Sequence, residues 1–128
     1  MLDHIGLKVA DIERARAFYD QALKPLGVSV LMDMSAAVTG STPFLGYGEG
    51  RKPYFWVSQG AQATELLHVA FVADSRAQVN AFYLAAMAAG GRDNGPPGPR
   101  PHYDASYYGA FVLDPDGHNI EAVCHKPE

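Results

Sequence analysis

Two histidines and one glutamate in this 128-residue chain, His4, His68 and Glu121, have the types and placement to hold a divalent metal ion. Glu121 lies in Ala110–Cys124, which reads as strand, tight turn, strand. Asp114-Pro-Asp-Gly117 is turn chemistry, with Pro115 setting φ and Gly117 free to take a positive one. Beyond the turn the residues alternate, with Ile120, Ala122 and Cys124 on one face and Asn119, Glu121 and Val123 on the other. A carboxylate in the middle of an apolar strand must be paired, hydrogen-bonded, metal-bound or open to a water-filled cleft, because burying it alone is too costly. His4 and His68 sit in two similar alternating runs, Leu2–Val9 and Leu67–Val72. In the first, Ile5, Leu7 and Val9 share the face that a helix must cover, which leaves His4, Gly6 and Lys8 on the opposite face. By the same parity His68 and Glu121 look into a cleft. Two imidazoles and a carboxylate on one cavity suit a divalent ion with open positions for substrate. Without a metal, Glu121 would pair with Lys8 or a histidine, and the cleft would be a binding pocket.

The elements that must position these residues occur twice. After the first strand Asp11 can cap a helix beginning near Ile12, with Ile12, Ala15, Phe18, Tyr19, Ala22 and Leu23 as its apolar stripe. Pro25 and Gly27 end it. Val28–Met34 and Lys52–Gln59 read as strands, and Thr39–Gly50 as one or two strands with turns. The second copy opens with Leu67–Val72, followed by a helix capped by Asp74 or Ser75, with Val79, Phe82, Tyr83, Ala86 and Met87 as its stripe and Gly90-Gly91 as its stop. His4 and His68, Phe18 and Phe82, Tyr19 and Tyr83, and Gly27 and Gly91 are each 64 residues apart. That register points to duplication of a βαβββ unit. The expected architecture is one α+β domain over 1–128, module one covering about 1–60 and module two about 65–126. Gly95–Pro101 is too proline-rich for a helix or a central strand and is expected as an ordered, extended loop.

Composition bounds the function. A net charge of −4 and a pI near 5.6 argue against nucleic acid or an anionic membrane as partner. No apolar run reaches transmembrane length, and the amino terminus enters patterned sequence directly, so neither a membrane span nor a signal peptide is expected. The single cysteine, Cys124, rules out an intrachain disulfide and a cysteine-based zinc cluster. A reducing cytoplasm is the expected compartment. Cys124 shares its strand face with Ile120 and Ala122 and reads as a buried, inert thiol.

Aromatic residues Trp56, Tyr54, Tyr103, Tyr107 and Tyr108 are expected to divide between core and pocket wall. Arg100 and His102, on the proline segment, are candidates to meet a polar or anionic substrate group. We therefore take Trp56, Arg100, His102, Tyr103 and Tyr108 as the candidate pocket. His118 and Asn119 belong to the turn and are assigned no chemistry. Gly46-x-Gly48-x-Gly50 has no helix after it and reads as hairpin, not phosphate loop. There is no Gly-x-Ser-x-Gly elbow and no P-loop.

Asp3-His-Ile-Gly-Leu-Lys-Val9 with Phe18-Tyr19, His68-Val-Ala-Phe71, and Asp114-Pro-Asp-Gly-His-Asn-Ile-Glu121 together resemble the vicinal oxygen chelate superfamily, the glyoxalase, bleomycin-resistance and extradiol-dioxygenase group. The closing motif is the most specific of the three. The resemblance spans essentially the whole chain and implies paired βαβββ modules forming a curved mixed sheet around a metal cleft. It places His4, His68 and Glu121 at ligand positions, with Zn, Ni, Mn or Fe as the ion and Glu121 also moving a proton as the catalytic group. It further implies a lyase, transferase or dioxygenase acting on a small molecule. Members of this size are typically homodimers, often with each site drawing ligands from both chains; in that arrangement His4 would complete the partner's site. Lactoylglutathione lyases carry a fourth ligand on the last strand of the first module. Counting 64 back from Glu121 reaches Val57, whereas the family's spacing points to Trp56; neither can ligate. The remaining set resembles fosfomycin-type thiol transferases and extradiol dioxygenases more than glyoxalase. The alternative is a non-catalytic sequestering protein of the bleomycin-resistance type.

Overall fold

A computed structural model describes residues 1–35, 42–61 and 65–128. In chain order the elements are β1 (Ile5–Val9), α1 (Ile12–Ala22), a single 3-10 turn (Lys24–Leu26), β2 (Ser29–Met34), β3 (Phe44–Glu49), β4 (Lys52–Gln59), β5 (His68–Val72), α2 (Arg76–Ala88), β6 (Arg92–Pro99), β7 (Tyr108–Leu113) and β8 (Asn119–Cys124). Local chemistry sets the boundaries. The Asp11 carboxylate accepts from the amides of Glu13 and Arg14 at 3.0 and 3.2 Å, which satisfies two of the free donors of α1. Ser75, not Asp74, caps α2 by accepting from Gln78 N at 3.1 Å. Gly27 leaves the 3-10 turn at φ 78°, a left-handed conformation that other residues adopt at a cost.

The strands form two four-stranded sheets with the same order, β1-β4-β3-β2 and β5-β8-β7-β6. In each, the opening strand runs parallel to the closing one and the rest are antiparallel. The α+β class, the two βαβββ modules and their mixed sheets stand as expected, with the two sheets not closed on one another. Among the described residues no ladder joins β1 to β5, and each remains an edge strand. Side chains make the joint instead. Phe55 and Phe71 meet edge to face at 5.2 Å, and one apolar cluster, including Phe18, Tyr19, Phe55, Phe71 and Phe82, runs through both modules. Fully burying each such ring contributes about 1.5–3 kcal/mol.

The turn between β7 and β8 clamps that joint. Asp114 accepts from the amides of Asp116 and His118, each at 2.9 Å, and from the hydroxyl of Tyr19 on α1. Asp116 accepts from Ala10 N at 2.9 Å. The buried His118 ring receives the amide of Leu67 on Nδ1 at 3.0 Å, so the proton must sit on Nε2, which donates to the carbonyl of Lys8 at 2.8 Å. The turn residue assigned no chemistry is thus a structural pin between the modules.

Two expectations change. Gly95–Pro99 is part of strand β6 rather than a loop, tolerated because β6 is an edge strand and its pairing with β7 breaks register twice. Of Thr39–Gly50, one strand is seen, Phe44–Glu49; Thr39, Gly40 and Ser41 lie outside the described residues. No helix of the described residues is long and apolar enough to cross a membrane.

Candidate functional site

Glu121 lies mid-strand in β8, beside Ala70 of β5 and Phe111 of β7, on the sheet face turned away from the helices. It is 1% exposed, and both oxygens are engaged. Oε1 is 2.8 Å from His68 Nε2, and Oε2 accepts from the hydroxyl of Tyr107. The charge in the apolar strand is therefore compensated by one imidazole and one phenol, as burial demands. Burial and the neighbouring Glu121 push the Tyr107 phenol well above its ordinary value, so it stays a donor. The His68 ring is about half exposed and tilts over Phe111 at 6.1 Å.

His4 stands apart. It immediately precedes β1, is exposed, and its Nδ1 lies 2.7 Å from Asp3 Oδ1. The Lys52 ammonium, with His4, holds the Asp3 carboxyl below its usual range. Both histidines line a cavity of about 600 Å³ at the β1/β5 joint, walled by Val28, Phe55 and Phe71, whereas Glu121 does not line it. Among the described residues, no three of His, Cys, Asp and Glu are grouped to hold one ion. A single chain brings together His68 and Glu121, while His4 pairs with its neighbour Asp3.

Register resolves the fourth position. Gly6 pairs with Trp56 as Ala70 pairs with Glu121, and Gly6 and Ala70 are equivalent in the repeat. Trp56 therefore occupies the Glu121 position of module one, while Val57 is buried in the core with its counterpart Ala122. The indole lies over Gly46, where an added Cβ would come within 2.7 Å of it, and beside Phe44 at 5.9 Å.

The other pocket candidates divide. The Arg100 guanidinium turns back on its own segment, donating to the carbonyls of Gly98 and Pro96 at 2.9 and 2.7 Å, and lies 5.6 Å from the Phe111 ring. His102 lies tilted against Tyr103 at 4.2 Å, and Tyr103 meets Tyr107 at 5.0 Å, which places the Tyr103 ring beside the group that touches Glu121. Tyr108 is a correction: it faces the helix side, donating to Asn80 of α2 at 2.7 Å with Arg76 over its ring. Strand parity explains this, because Tyr108 shares a face with Ala110 and Val112, whose side chains are core. Tyr107, outside the candidate pocket, is the tyrosine at the site. It precedes the strand, where no periodicity signals its direction.

The profile of the glyoxalase/bleomycin resistance protein/dioxygenase superfamily matches residues 1–122. The chain belongs to this superfamily. No curated protein matches it. Among solved structures, a glyoxalase/bleomycin resistance protein from Albidiferax ferrireducens T118 is 28% identical, with a TM-score of 0.76 and 99% of each chain covered. A point mutant of glyoxalase I from Zea mays is 27% identical over 95% of this chain and 45% of its own, with a TM-score of 0.68. A glutamate-to-glutamine mutant of the fosfomycin resistance protein FosX from Listeria monocytogenes, complexed with Mn(II) and 1S,2S-dihydroxypropylphosphonic acid, shares the fold at 18% identity, with a TM-score of 0.73 over 97% of this chain and 91% of that one.

Proposed function

We propose that this superfamily member is a metal-dependent enzyme acting on a small oxygen-bearing substrate, by glyoxalase-, thiol-transferase- or dioxygenase-like chemistry. His68 and Glu121 of one chain and His4 of a second copy would be its donors. The observation that carries the reading is the buried Glu121 carboxylate, with Oε1 2.8 Å from His68 Nε2 on the helix-free face of its sheet. The donor set fits: imidazole nitrogen and carboxylate oxygen are ligands for Zn, Ni, Mn or Fe, and such an ion would replace the proton they share. When bound it would supply Lewis acidity to adjacent substrate oxygens. His68 would orient the carboxylate, Glu121 would accept or return a proton, and Trp56 would wall the cleft where a fourth ligand would otherwise stand.

The isolated position of His4 and apolar side chains left open, Val72 at 75% and Met32 at 44% exposure, support a homodimer. A second copy that sets its module one against this chain's module two would complete three donors. Calorimetry with Ni, Zn, Mn and Fe should give tight binding to the wild type that is lost in Glu121→Gln. No tight binding to the wild type, or equal binding to both, would overturn the reading.

A second reading, a ligand-sequestering protein, is favoured by one observation: both Glu121 oxygens are already satisfied by protein donors, so the carboxylate needs no ion to be buried. Trp56 is the only tryptophan. Saturable quenching of its fluorescence by a ligand that is never turned over, even with metal supplied, would select this alternative.

A further inference from the structure

The turn segment between the proline-rich edge strand β6 and β7 delivers one side chain to the site. We propose that Tyr107 is a positioning residue that occupies Oε2 of Glu121 and leaves Oε1 as the one oxygen the carboxylate can offer to an ion or a substrate. The two oxygens are distinguished by their partners: Oε1 meets His68 Nε2 at 2.8 Å, and Oε2 meets the Tyr107 hydroxyl. At 1% exposure, Glu121 has no open water to exchange for that phenol.

The phenol is itself held. The Tyr107 amide donates to the carbonyl of Asp104 at 3.1 Å, and its own carbonyl accepts from Arg100 N at 2.8 Å. Its ring packs against Tyr103 on one side and against His125, edge on at 5.1 Å, on another. Gly109 leaves the room the contact needs, since a Cβ there would stand 3.1 Å from the Tyr107 ring and 3.3 Å from Glu121 Oε2. The Arg100 fork, bonded to its own loop, thus serves to shape the segment that carries Tyr107. A carboxylate fixed in this way can bind through one oxygen while the other stays hydrogen-bonded, as supporting residues around metal ligands do. Freed from the phenol, it could turn and offer both.

The consequence for an ion rests on the metal-dependent reading; the placement of the carboxylate does not. Wild type and Tyr107→Phe would be titrated with Co(II) chloride, following affinity by calorimetry and coordination by the visible absorption band. Tyr107→Phe should bind about 10–100-fold more weakly, the range typical of lost supporting hydrogen bonds, with an altered band as the second oxygen enters. Tyr108→Phe, changed on the opposite face, should match the wild type in both readouts. Identical affinity and spectrum for wild type and Tyr107→Phe would overturn the proposal. If the wild type takes up no Co(II), the metal reading falls and crystal structures of the metal-free proteins decide. A Glu121 carboxylate turned or split over two orientations in Tyr107→Phe upholds the positioning role; an unmoved one overturns it.

Discussion

The two modules share a strand order and the register of their parallel pair, yet equivalent positions do different work. Module two has His68 against a buried Glu121; module one has an exposed His4 and, at the glutamate's position, Trp56 folded over Gly46. Their corresponding turns differ as well. The connection from β3 to β4 passes through Gly50 and Arg51 alone, whereas the connection from β7 to β8 spans Asp114–His118 and pins the joint through Ala10, Tyr19, Lys8 and Leu67. One half holds the buried polar groups and closes the joint; the other supplies a wall and an exposed imidazole beside Asp3. A repeated backbone fixes where side chains point, while the side chains at equivalent addresses remain free to diverge.

The largest effect should come from mixing variants that break different halves. His4→Ala and His68→Ala homodimers should each lack an intact site. Co-refolded in equal amounts, about half of the dimers are mixed and one of the two sites in each combines wild-type His4 with wild-type His68, so metal should return at about a quarter of the wild-type stoichiometry. Calorimetric stoichiometry reads the outcome, and no recovery would place all donors in one chain. Next comes the joint: His118→Ala removes two hydrogen bonds of a buried ring, one of them across the modules to the Lys8 carbonyl, and should cost about 2–4 kcal/mol, measured by urea unfolding. A cost near zero would mean that the turn is not the clamp.

A smaller contrast separates the histidines. His68→Ala leaves a buried carboxylate with one partner and should cost about 1–3 kcal/mol, whereas His4→Ala at an exposed site should stay within about 0.5 kcal/mol. Equal costs in metal-free protein would erase the asymmetry. The smallest effect is at high pH, where each half has a tyrosine bonded to a glutamate. Burial and then Glu49 push Tyr54 up to about 12, and burial and then Glu121 raise Tyr107. A raised phenol stabilises the fold fully below its ordinary value near 10, and that contribution is lost as pH rises through the folded value. The melting temperature should fall less between pH 9 and pH 11 in Tyr54→Phe and Tyr107→Phe than in the wild type, and parallel profiles would remove these pairs as the cause.

Much of this is legible in the chain itself. Alternation in Leu2–Val9, Leu67–Val72 and Asn119–Cys124 assigns faces, because a strand's side chains have a period of two whatever surrounds them. Asp11 and the Asp114–Gly117 turn announce their elements because caps and turns are satisfied by neighbours a few residues away. His68 and Glu121, 53 positions apart, can be placed on one face by parity, and their hydrogen bond requires only that β5 and β8 pair in register. Proline-rich β6 reads as loop because an edge strand needs only half its backbone bonds, and sequence does not announce which strand lies at the edge.

What the tertiary structure alone decided are relations whose spacing no local rule sets. The choice of Trp56 over Val57 hung on one residue of register, since the two modules place their closing strands 65 rather than 64 positions apart. His118 became a pin because its partners, 51 and 110 positions away, are delivered by packing. Tyr107 reached Glu121 from a turn, where side-chain direction has no period and is set by the contacts that hold the segment. Sequence by itself determined which groups could meet across a strand pair; the fold decided that His68, Glu121 and Tyr107 meet within one chain and that His4 does not.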